Sequence, residues 1–203
     1  MRILIVAATP AEIAQPFKAP GHRIDLLTTG VGMVATAAHC AKVLADGTYG
    51  LALNFGVCGS FDPALVPGCV VHVVTDRLSE LGAEDGDAFL TLDQLGLPGE
   101  HEIVNVRPPA NAALARLPAV RGITVSTVHG NAASIAAIER RFNPQVESME
   151  GAAFMYACLL NNVPFAQVRA VSNIVERRNK AAWKMADAIA GLAGAARDIL
   201  GNI

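Results

Sequence analysis

The sequence is short of surplus charge, of cysteine and of long apolar runs, and each shortage excludes something. Sixteen basic residues stand against eighteen acidic ones in 203, a formal net charge of -2. Neither a basic stripe for nucleic acid nor a polybasic patch for an anionic membrane follows from that balance, and neither partner is expected. No apolar run reaches the roughly 18 residues a membrane span needs, because Gly, Asn, Asp or Pro interrupts every one. The opening MRILIVAATP is apolar enough to start a signal peptide, but it runs into Pro10 and Glu12 with no cleavage site. It reads as a buried first strand. Only four cysteines occur, Cys40, Cys58, Cys69 and Cys158, with no CxxC and no His at metal-ligand spacing. A zinc site is excluded on that count, and reduced, buried thiols of a cytoplasmic protein are expected instead. No repeat, low-complexity tract or linker divides the chain, so one domain over 1–203 is expected.

Apolar residues make up 52% of the chain and charged ones 17%, with a mean hydropathy of +0.38. That excludes disorder and implies a deep core. Arg2–Ala8, Arg23–Thr29, Leu51–Val57, Gly68–Val74, Gly122–Val128 and Phe165–Val171 read as apolar strands. A short helix from about Ala11, and helices over Met33–Leu44, Ser134–Arg141, Met149–Leu160 and Ala181–Leu200, alternate with them. The pattern predicts an α/β fold: a central mixed, largely parallel sheet flanked by helices, with ligands at the strand ends. Ser79–Pro109, rich in Gly, Asp and Glu, is the least regular stretch and reads as a functional or a solvated loop.

Polar residues cluster where those strands end. Thr9-Pro10-Ala11-Glu12 has the form of a helix start with a capping box, and it also sets Glu12 just past the first strand. Thr29-Gly30-Val31-Gly32-Met33-Val34-Ala35 satisfies GxGxxA, but it follows the second strand and lacks the acidic residue at the end of the next one. It is a better tight turn offering backbone N–H groups to a small ligand than a nicotinamide site, and no cofactor is expected. Gly56-Val57-Cys58-Gly59-Ser60 reads as a further tight turn. Glu147 and Glu150 flank the start of a helix that continues Gly151-Ala152-Ala153, either a charged first turn or a carboxylate placed to accept from a sugar diol. His129-Gly130-Asn131, Ser172-Asn173 and Glu176 to Asn179, with Arg177 and Arg178, are the remaining strand-end groups.

Taken in order along nearly the whole chain, Glu12, Gly30-Val31-Gly32, Asn54-Phe55-Gly56 leading to Gly59, Pro67-Gly68, Met149-Glu150 and Ser172-Asn173 resemble the purine nucleoside phosphorylase and nucleosidase family. Glu80–Gly86, Thr127–Asn131, Glu147–Ala153 and Ser172-Asn173 through Arg178-Asn179 are similar to its futalosine-cleaving branch, which serves the alternative menaquinone pathway. The resemblance implies that Glu12 activates water, that Met149 and Glu150 hold the ribose, and that residue 173 faces the purine at N7. Gly32, Gly59, His129 and Ser172 fall at substrate-binding positions, and Arg177 and Arg178 are candidates for an anionic 5′ group. In the related methylthioadenosine nucleosidases residue 173 is Asp, so Asn173 departs from their pattern and favours release of hypoxanthine over adenine. Thr9–Glu12 and Thr28–Val34 contain no Arg or Lys, which favours hydrolysis over phosphorolysis. The resemblance and the high apolar content also imply a homo-oligomer, a dimer being favoured. A phosphorylase, an adenine-type nucleosidase and a non-catalytic nucleoside-binding protein are the competing readings.

Overall fold

Apolar side chains without interruption make a strand that is buried on both faces, and the first strand is one. In the computed structural model, which describes residues 1–99 and 101–203, β1 spans Arg2–Ala7 with Ile3 through Ala7 buried. It lies parallel between β2 (Arg23–Thr28) and β3 (Tyr49–Ser60). Helix α1 connects β2 to β3 and occupies Met33–Leu44, as its Ala-rich period predicts. The expected helix at Ala11 is a single 3₁₀ turn, Pro10–Ile13.

Strand β3 outruns the expected Leu51–Val57, because Gly56–Ser60 does not turn but continues the strand. Gly56 admits a side chain from the neighbouring strand: a Cβ there would fall on the Arg169 guanidinium. Strand β4 (Val70–Leu78) likewise continues past Val74. The stretch expected as an irregular loop holds a hairpin of β5 (Gly82–Asp85) and β6 (Ala88–Thr91), the short helix α2 (Leu92–Leu95) and β7 (Glu102–Val104). After α3 (Ala112–Ala115), β8 covers Ala119–Thr124, so it starts before Gly122 and stops short of Val128. The remainder is α4 (Ala132–Phe142), β9 (Val146–Ser148), α5 (Gly151–Leu160), β10 (Phe165–Ile174) and α6 (Met185–Leu200). The last helix begins at Met185, not Ala181, because a 3₁₀ turn at Lys180–Ala182 ends in the extended Trp183.

The class is the α/β fold expected, but its sheet is not simply open. Strand β10 pairs parallel with β3 and antiparallel with β4; β4 pairs with β8, β8 with β9, and β9 returns antiparallel to β3. These five strands close a ring, from which β1 and β2 extend on one side while β7 adds to β4. Closure works because one edge of β3 serves two partners at different heights: β1 along Tyr49–Asn54 and β9 at Gly59–Ser60.

Alternation along β1 sends Ile3, Ile5 and Ala7 to one face, where they meet Leu53, Phe55 and α6 residues Leu192, Ala196 and Ile199. Leu4 and Val6 point to the other, against Cys40 and Leu44 of α1 and Phe154 and Cys158 of α5. All four cysteines are free; Cys40, Cys58 and Cys158 are buried as expected, whereas Cys69 is half-buried. Burial pushes the Cys40 and Cys58 thiols up to about 12. Among the described residues, no helix is long and apolar enough to cross a membrane.

Candidate active site

Strands β1, β3, β9 and β10 bring their polar ends to one cavity of about 320 Å³. Glu12 enters it from the turn after β1 and is only 7% exposed. Its Oε2 accepts from the Thr9 backbone N–H at 2.8 Å and from Thr9 Oγ1 at 2.9 Å, and its Oε1 accepts from the Val57 N–H at 3.2 Å. The capping role and the place on the cavity wall therefore coincide in one carboxylate.

The glycine turn before α1 does present a backbone N–H, but to a side chain. Gly32, at φ 101° where a Cβ is strained, donates to Glu150 Oε1 at 3.0 Å. Glu150 occupies the N-cap position of α5 and lines the cavity beside Met149. Its Oε2 takes no bond among the described residues, so an acceptor is left for a ligand hydroxyl.

Strand β10 reaches the site through a bulge. Val171 pairs with Cys58 and Asn173 with Gly59, so Ser172 is the extra residue, and both Ser172 and Asn173 are turned to the cavity. Ser172 Oγ lies 3.1 Å from Cys58 O and 2.7 Å from Asn173 Oδ1, while Asn173 Nδ2 donates to Ile174 O at 3.0 Å. Gly59 faces them. A Cβ there would sit 2.8 Å from Val175 Cγ2, too close for it to stay where it is, and 3.4 Å from Asn173 Nδ2, so glycine keeps the room that Val175 fills beside the amide.

Glu147 is not in a helical turn. It belongs to β9 opposite Gly59, is 4% exposed, and lines the cavity. His129 braces it, its backbone N–H at 3.1 Å from Oε1 and its Nδ1 at 2.6 Å from Oε2. His129 and Gly32 thus support wall carboxylates and do not form the wall themselves. Arg177 and Arg178 also stand off it, both exposed. Arg178 lies with its guanidinium carbon 5.8 Å from the centre of the Trp183 ring, and Trp183 is on the wall.

Sequence reading did not find the apolar side of the cavity, formed by Val31, Trp183, Met185 and Ile189. It named Asn54 and Arg169 but not Asp76 and Gln167, nor that the four form a buried polar chain beneath the site. Part of the signal was present: Asn54, Gln167 and Arg169 each stand between apolar neighbours in a strand, and burying such groups is costly unless they have partners.

The model of the Phosphorylase superfamily matches residues 16–200. The futalosine hydrolase of Streptomyces coelicolor is 35% identical, over 96% of this chain and 93% of its own. That of Thermus thermophilus is also 35% identical, over 86% of this chain and 80% of its own. Among solved structures, the S-adenosylhomocysteine nucleosidase of Streptococcus pyogenes aligns with a TM-score of 0.81 at 21% identity, covering 100% of this chain and 97% of that one. The futalosine hydrolase of Helicobacter pylori aligns with a TM-score of 0.78 at 15% identity, covering 96% of each. At those identities the structures speak for the fold alone. The sequence matches go further: with most of both chains aligned at 35% identity, this chain belongs to the Phosphorylase superfamily and, within it, to the futalosine hydrolase family.

Proposed function

We propose that the chain, as one nucleosidase unit, hydrolyses the N-ribosidic bond of futalosine and releases hypoxanthine, a step toward menaquinone. The observation that carries this is the pairing, on one small cavity, of the Glu12 and Glu150 carboxylates with the Asn173 amide. Breaking the bond builds positive charge on the ribose and negative charge on the departing base, so groups aimed at those charges stabilise the transition state more than the ground state. Glu150 accepts from the ribose hydroxyls with Met149 packed against the sugar, and Gly32 holds its other oxygen. Glu12 takes the proton of the attacking water. The departing hypoxanthine takes a proton from solvent at N7, and Asn173 accepts from that N7–H and donates to O6, with Ser172 fixing the amide. His129 holds Glu147 at the edge of the base. The anionic 5′ group leaves along Trp183 toward Arg178 and Arg177. No Lys or Arg lines the cavity among the described residues, so the wall offers no cation for phosphate, and hydrolysis fits better than phosphorolysis. The chemistry assigned to these side chains calls on neither metal nor cofactor. Four free thiols suit a reducing cytoplasm, and exposed apolar side chains suit a dimer.

Incubating the protein with futalosine, its 6-amino analogue, inosine and methylthioadenosine, with and without phosphate, tests the proposal. Phosphate-independent release of hypoxanthine from futalosine is expected. Binding without release would make it a nucleoside-binding protein, and a phosphate requirement would make it a phosphorylase.

A further inference from the structure

A buried carboxylate lies under the first turn of α5, immediately behind Glu150. Asp76 of β4 is 1% exposed. Its Oδ1 accepts from Thr124 Oγ1 at 2.9 Å and its Oδ2 from Gln167 Nε2 at 2.7 Å. Each partner leads onward to the site. Thr124 Oγ1 accepts from the Ala152 N–H at 2.7 Å, so its own hydrogen is committed to Asp76. Gln167 Oε1 lies 3.4 Å from Arg169 Nη2, which also donates to Asn54 Oδ1 at 2.6 Å. Arg169 is itself 1% exposed, and the point a Gly56 Cβ would occupy is taken by its Nη1 and lies 3.2 Å from Glu12 Oε1. One arm thus runs from Asp76 to the helix turn that carries Glu150, the other to the guanidinium beside Glu12.

The direction of these bonds is fixed. A guanidinium only donates, an ionised carboxylate only accepts, and a glutamine accepts at one end while donating at the other. Along both arms the hydrogens point toward Asp76, so neither an amide nor a protonated acid at residue 76 satisfies both. Building on the nucleosidase reading, we propose that Asp76 is a positioning residue that holds Glu150 in place through Thr124 and the start of α5, and Glu12 through Gln167 and Arg169.

Burial lifts the Asp76 carboxyl to about 7, against the pull of the Thr124 hydrogen bond, Arg169 and the Arg77 N–H, and with a small push from Glu150. From the packed elements, Arg169 of β10 and Glu150 ahead of α5 are the charges facing it; β8 offers only the Thr124 hydroxyl, and Glu102 of β7 is engaged with Arg77. The folded state binds this proton more tightly than the unfolded chain, whose carboxyl titrates at the ordinary 3.8. The stability contribution is therefore fully present below about pH 4 and lost as pH rises through about 7. The positioning does the reverse, because the added hydrogen competes with those of Thr124 and Gln167. Acid should firm the fold and slow the reaction.

The test is futalosine hydrolysis and thermal midpoint across pH for the full chain and four variants. Thr124→Val, nearly isosteric, should raise KM about tenfold with kcat changed less, and Thr124→Ser should restore it. Gln167→Leu should lower kcat about tenfold with KM changed less. Asp76→Asn should show both defects, lose the rise of kcat/KM near neutral pH, and no longer gain stability on acidification. Should Asp76→Asn fail to fold, the Thr124 pair and Gln167→Leu decide. An active parent whose variants keep its KM, kcat and pH profile overturns this inference alone. Losses that Thr124→Ser does not relieve, or that only follow the thermal midpoint, overturn it as well. A parent that releases no base from any nucleoside removes the underlying reading and this inference with it.

Discussion

At the scale of single residues, Glu12 caps its turn, and one substitution separates that from the water-activating role proposed for it. Its Oε2 accepts from both Thr9 donors and its Oε1 from Val57 N–H, so a glutamine there sets its NH₂ against an N–H in either orientation. Glu12→Gln should therefore cost about 1–3 kcal/mol of stability, read as a lower denaturation midpoint. If the carboxylate also takes the water's proton, kcat falls roughly 10²–10⁴-fold with KM nearly unchanged. A rate that drops no more than the folded fraction would leave Glu12 a cap alone. Asn173 poses a question of specificity. An amide oxygen accepting from N7–H leaves its NH₂ to meet O6, whereas the 6-amino compound would set donor against donor. Asn173→Asp should shift the kcat/KM ratio toward 6-aminofutalosine by about one to two decades. A parent that already prefers the amino compound would defeat this reading. The two arginines differ in placement: Arg178 stands over Trp183, while Arg177 has no such contact with the wall. Arg178→Ala should weaken futalosine and leave inosine unchanged, and equal losses on both would mark it as structural.

At the scale of elements, the head of α5 is where packing is least forgiving. Gly151 has no room for a methyl group: a Cβ would fall on Gln167 Oε1 and Asp76 Oδ2. Gly151→Ala should lower the thermal midpoint by roughly 5 °C or more, since overpacking of this kind costs about 1–3 kcal/mol. Elements whose logic is local were legible in the sequence. An unbroken apolar run gave away β1, and the period of small and apolar residues gave α1 its bounds. Elements whose logic is tertiary were not. Gly56 and Gly59 looked like a turn because glycine usually marks one, yet here they admit Arg169 and Val175 from far along the chain. The hairpin of β5 and β6 hid among acidic and glycine residues; what pins it is Arg141, whose guanidinium carbon is 4.0 Å from the centre of the Phe89 ring. The site was legible in the same measure. Polar groups after apolar strands or at a helix start marked Glu12, Glu150, Ser172 and Asn173, while nothing in the local pattern singled out Trp183 or Asp76.

At the scale of the whole molecule, Val34 of α1, Tyr156, Leu159 and Leu160 of α5, and Val106 are all exposed in the isolated chain. Side chains of that size are normally covered when they gather on one surface. Light scattering should return about twice the 21.1 kDa of one chain, and a mass of one chain at micromolar concentration would contradict the dimer. The ring of strands has a consequence for how the molecule comes into being. Ala52 of β3 pairs with Phe165 of β10, a separation on the order of a hundred residues that makes closure a late, slow event. During synthesis Glu12, Gly32 and most of the sheet emerge before their cavity exists. Ser172 and Asn173 arrive on the very strand that closes the ring, and Trp183, Met185 and Ile189, which follow it in the chain, then close the apolar side of the pocket. The hazard of a half-made chain is the bare edges of β3 and β4, which stay unpaired until that strand slides between them.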